Sequence, residues 1–60
     1  MTIPEAITVR NLAVALGLKP FEVIGFLLEF NVFASVGMLV RFHLASALCA
    51  HLGVIAYRTE

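Results

Sequence analysis

Few side chains here carry chemistry, and their spacing decides what they can do. Cys49, His43 and His51 fall in the stretch "RFHLASALCAHLG". On a helix, side chains converge at spacings of three or four residues. His43 and His51 are two turns apart, and Cys49 and His51 point to different faces. No carboxylate completes a ligand set, and a structural zinc takes four Cys or His ligands. The pattern predicts no metal site, but a surface histidine pair and a core cysteine. Glu22 and Glu29 are also two turns apart, and read as charges that solvate a helix. No Ser–His–Asp arrangement is recognisable. A phosphate loop of the GxxxxGK[ST] kind is absent, and the only lysine, Lys19, precedes Pro20. The expectation is no catalysis, no nucleotide and no cofactor.

The cations are the next candidates. Arg10, Lys19, Arg41 and Arg58 are balanced by four acidic residues, for a net charge of +0. A strong grip on nucleic acid needs a clustered basic face that releases many counterions. Four scattered charges supply ordinary solubility and, at most, a weak RNA contact. "LAVALGLKPFEVIGFLL" has the rhythm of a helix-turn-helix. Its second helix presents Phe21, Glu22, Gly25, Phe26 and Glu29 outward. None is an Arg, Lys, Asn or Gln that reads base edges, and two are carboxylates that phosphates repel. Sequence-specific DNA binding is not expected.

These residues must be held by short elements. Ala6 to Val9 is β-branched enough for a short strand. Thr8 is a good N-cap for a first helix in which Val9, Leu12, Ala13 and Leu16 have helical spacing. Asn11 stands where a capping box prefers Glu or Gln. Gly17 ends that helix, and Pro20 opens the second in its first turn. Val23, Ile24, Leu27 and Leu28 form the second apolar stripe, which Phe26 and Phe30 widen; Asn31 closes the helix. Val32 to Val40 reads as an extended segment. A third helix follows, with Leu44, Ala45, Leu48 and Cys49 on one face and Gly53 as its stop. Val54 to Arg58 alternates as a final strand. The fold class is therefore α+β, in the order β-α-α-extended-α-β. Three short helices pack on a minimal antiparallel strand pair, in which the two terminal strands can be neighbours. The expected core holds Leu12, Leu16, Ile24, Leu27, Leu28, Ala45 and Leu48.

Length and composition bound the rest. Sixty residues make one small domain, 1–60, and a chain of this size buries only about 60% of its unfolded surface. One cysteine excludes an intramolecular disulfide and suits a reducing compartment. No signal or lipidation motif is visible. The chain is 62% hydrophobic and 13% charged, against about 25% charged in ordinary domains. Some large apolar side chains must therefore stay outside or meet a partner. Phe26, Phe30, Met38, Leu39 and Phe42 are the expected contact set, and a homo-oligomer through them is one outcome. "VIGFLLEFNVFASVGMLV" is long enough to approach a membrane span, but Glu29 and Asn31 sit near its middle. An acidic residue there costs roughly 2.5–3.5 kcal/mol, so insertion is not expected.

"ITVRNLAVALGLKPFEVIGFLLEFNVFAS" followed by "LASALCAHLGV" resembles the N-terminal domain of bacterial translation initiation factor two. The resembling positions are Ile7, Thr8, Val9, Arg10, Leu12 and Ala13, then Leu16, Gly17, Lys19, Pro20, Val23 and Ile24. Asn31, Val32 and Ala34 follow at the turn. Where the family carries Lys or Glu on its helices, this chain has Val14, Gly25, Phe26, Phe42 and Ala47. The resemblance implies the cytoplasmic N-terminal module of a longer protein-synthesis factor. Such a module is a non-catalytic docking domain near the small ribosomal subunit, and GTPase activity lies elsewhere. The rival expectations are a self-associating or membrane-associated small protein and an engineered scaffold on this fold.

Overall fold

The computed structural model describes residues 1–58, so the last two positions of the 1–60 domain lie outside the described residues. The elements are β1 (Thr2–Ile3), β2 (Ala6–Thr8), α1 (Val9–Leu16), α2 (Pro20–Glu29), β3 (Leu39–Arg41), α3 (Phe42–His51) and β4 (Tyr57–Arg58). This is the expected α+β arrangement of three short helices and an antiparallel strand pair.

The helix ends explain why the chain breaks where it does. All three helices close with the same pair of backbone bonds. At α1, Leu18 N–H donates to the Ala13 carbonyl at 2.8 Å and Gly17 N–H to that of Val14 at 3.2 Å. At α2 the pairs are Val32 to Leu27 and Asn31 to Leu28; at α3 they are Val54 to Cys49 and Gly53 to Ala50. Each set needs one left-handed residue just past the helix, and these are Gly17, Asn31 and Gly53.

The helix starts are satisfied differently. Thr8 Oγ1 accepts from Asn11 N–H at 3.1 Å, the expected N-cap. Two further orphan donors of α1, Val9 and Arg10, donate to the carbonyls of Met38 and Val36. Arg41 offers no side-chain cap to α3. Instead Phe42 N–H donates to the Glu5 carbonyl at 2.8 Å. In α2, Glu22 reaches back and its Oε1 accepts from Lys19 N–H at 3.0 Å, half of a capping box.

Those donors also decide strand pairing. By bonding Val36 and Met38, the start of α1 lays the extended segment beside β2. The antiparallel pair is therefore β2–β3, with Ala6 opposite Arg41, Ile7 opposite Val40 and Thr8 opposite Leu39. The C-terminal strand is not the neighbour of β2. β4 pairs in parallel with β1, Thr2 with Tyr57 and Ile3 with Arg58. Pro4, which has no N–H, separates β1 from β2.

One core lies between the helices and strands. Leu12, Leu27, Ala45 and Leu48 are fully buried in it, as expected. Ile3, Ile7, Val9, Ala13, Val23, Val40 and Cys49 complete it. Leu16 and Ile24 are half-buried against it. Leu28 is a correction: it is 51% exposed. The inward face of α2 is set by Val23 and Leu27, four residues apart, and Leu28 falls one step round the helix from it.

Candidate functional site

Cys49, His43 and His51 are not brought together. Cys49 is buried on the inner face of α3, while His43 and His51 stand exposed. No group of three metal-capable side chains forms among the described residues. Burial pushes the Cys49 thiol above its ordinary pKa, with a smaller opposing pull from the N-terminal ammonium. It is therefore a poor nucleophile in the folded state. His51 has a packing role that its spacing did not reveal. Its ring lies edge-on to Phe26 at 5.9 Å and to Phe30 at 6.0 Å. Phe26 on α2 and Phe30 at its C-cap, one turn apart, thus receive the last residue of α3.

The four cations sit on separate elements and are all exposed. Arg10 is in the first turn of α1, Lys19 at the α1–α2 corner, Arg41 at the end of β3 and Arg58 in β4. Arg58 is already engaged: its Nε is 3.0 Å from Glu5 Oε2, and its guanidinium lies 4.9 Å over the Phe42 ring. Lys19 Nζ is 5.9 Å from the centroid of Phe21.

The expected apolar contact set is unevenly exposed. Of Phe26, Phe30, Met38, Leu39 and Phe42, only Phe30 and Leu39 are exposed. Phe26, Met38 and Phe42 are half-buried against the core. Phe26 turns toward α3 and His51, and Phe42 lies under Arg58, so neither is free on the surface. Other large side chains stand in solvent as well. Phe33 in the α2–β3 connection is 84% exposed, Phe21 on α2 is 67% exposed, and Val14 and Ile55 are similarly uncovered. Phe21 stands outward as its spacing predicts, about 160° round the helix from Val23.

The α1 and α2 axes meet at 104°, within the usual range of a helix-turn-helix corner. On the outer face of α2, Phe21, Glu22, Gly25 and Glu29 are exposed as expected, and Phe26 is not. No single helix among the described residues is long and apolar enough to cross a membrane. An open groove of about 370 Å³ runs beside α3, lined by Ser46, Ala50, Gly53, Val54, Ile55 and Ala56. None of these side chains is ionisable, so the groove offers contact area rather than chemistry. No protein-family model and no curated protein matches the chain.

Proposed function

We propose that this chain is a non-catalytic docking module of the kind found at the N-terminus of bacterial translation initiation factor two. In this reading it works in the cytoplasm, helping a longer factor to associate with the small ribosomal subunit or to take up its position there. The supporting observation is where the resembling residues fall. Thr8 caps α1, Gly17 closes it in a left-handed conformation, Pro20 opens α2 and Asn31 closes it. These residues specify a corner, not a reaction centre. The contacts left for a partner are exposed cations and uncovered apolar side chains, Phe33 foremost.

Purified small ribosomal subunits provide the test. The chain should pellet with them through a sucrose cushion at low salt. An Arg10→Glu, Arg41→Glu variant should pellet less, and added salt should weaken both. If the chain stays in the supernatant at low salt and excess subunits, the reading is wrong.

A further inference from the structure

The outer face of α2 carries a stripe whose spacing goes beyond the docking reading. Phe21, Gly25 and Leu28 are spaced by four and three residues, so they line one face of the helix. All three are exposed, and a Cβ built at Gly25 meets nothing within 4 Å. Two large apolar side chains thus flank a gap where another backbone can come close. Lys19 stands just before the stripe and Glu29 just after it. Among the described residues neither is in an ion pair, although Lys19 Nζ lies 5.9 Å over the Phe21 ring. Glu22, the other acidic residue of α2, is occupied by the Lys19 N–H.

The charges choose the occupant. An antiparallel copy of α2, related by a two-fold axis at Gly25, would set Phe21 of each copy against Leu28 of the other. The same axis would bring Lys19 of each copy to Glu29 of the other, twice over. A parallel copy would face Lys19 with Lys19 and Glu29 with Glu29. Antiparallel helices also oppose their macrodipoles favourably. The chain's net charge of +0 adds no overall repulsion between copies. The stripe is self-complementary, which is what a two-fold interface requires.

We infer that α2 is a homodimer surface, in which two copies cross antiparallel at Gly25 through Phe21 and Leu28 and are held in register by Lys19–Glu29 pairs. The contact spans only a ten-residue helix. It is therefore smaller than a standard stable interface, and the dimer is weak.

Sedimentation equilibrium of the whole chain tests this, with circular dichroism to check folding. The unmodified chain should show a monomer–dimer equilibrium that weakens as salt rises. Lys19→Glu and Glu29→Lys should each weaken it about five-fold or more, since each turns two symmetry-related attractions into repulsions. Both changes complement the α2 macrodipole, so neither should impair folding. The double exchange, Lys19→Glu with Glu29→Lys, should restore dimerisation to within about two-fold, because it rebuilds the pairs with signs reversed. Leu28→Lys should abolish the dimer. A monomer at high concentration overturns the proposal, and flotation with phosphatidylcholine vesicles would then assign the stripe to lipid. A dimer that survives Leu28→Lys, or a double exchange that fails to restore it, overturns the proposal as well.

Discussion

Leu27 is fully buried while its neighbour Leu28 is 51% exposed, although both belong to the same apolar run of α2. One step of about 100° round the helix separates them. Leu27→Ala removes side-chain atoms from the centre of the core and leaves a cavity, at a cost of about 2–5 kcal/mol. Total stability for a domain of this size is only a few kcal/mol, so this variant should be largely unfolded. Leu28→Ala, measured at a concentration where the chain is monomeric, should change stability by less than about 0.5 kcal/mol. Urea titrations of both variants check the contrast. Equal losses would mean that the face of α2 is wrongly assigned.

The same pair shows what was legible in the sequence and what was not. Helix ends could be read because they depend on local chemistry: Gly17, Asn31 and Gly53 each supply a left-handed residue where a Schellman closure needs one. Strand partners could not, because the choice rests on distant backbone bonds. Nothing local to Leu39 says that Val36 and Met38 will accept from α1 and lay β3 beside β2. Ile3 gives no signal for a similar reason: two residues before a proline carry no periodicity, yet the Ile3 side chain joins the core. The apolar surface suffered from face width. With most of α2 apolar, Phe26 reads as part of the outward face, although its ring turns to His51.

Glycine positions give a second contrast. Gly17 has φ +72°, and no side chain would clash there. The whole cost of Gly17→Ala is therefore backbone strain, about 1–2 kcal/mol. Gly25 lies in the helical interior of α2, also in open space. Gly25→Ala should stabilise the monomer by about 0.5–1 kcal/mol, because alanine restricts the unfolded chain and favours the helix. Thermal unfolding of the two variants should move Tm in opposite directions.

Glu5, in the link between β1 and β2, pairs with Arg58 of β4 at the surface, with Phe42 beneath the guanidinium. Both side chains are well exposed, so the pair is screened and contributes only about 0.2–1 kcal/mol. Glu5→Gln should lower stability within that range, and high salt should erase the difference. Arg58→Ala should cost somewhat more and retain part of its effect in salt, since packing on the Phe42 ring is lost too. A salt-independent Glu5→Gln effect would contradict a screened surface pair.

Nucleotide binding supplies a negative test. Lys19 follows no glycine-rich phosphate loop, and the sequence carries no recognisable acid–base motif. Calorimetric titration with GTP and magnesium should therefore give no heat of binding. Saturable micromolar binding would overturn the non-catalytic reading.

Cys49 links burial to pH. Its thiol is buried and pushed above its ordinary pKa, chiefly because a thiolate would be poorly solvated in the core. The folded state therefore holds its proton to higher pH than the unfolded state does. Below the unfolded thiol's pKa, about 8.5, both states are protonated and Cys49 leaves stability unchanged with pH. Above it, the unfolded chain binds fewer protons than the folded one, so stability falls with rising pH until the folded thiol also ionises. Cys49→Ala should remove that alkaline loss, and its stability curve should be flatter above pH 8.5 than that of the unmodified chain. Labelling with a thiol reagent gives an independent check. Cys49 should react only as fast as the protein opens, and denaturant should accelerate it sharply. Rapid labelling of the folded chain at neutral pH would place the thiol at the surface and remove it from the core.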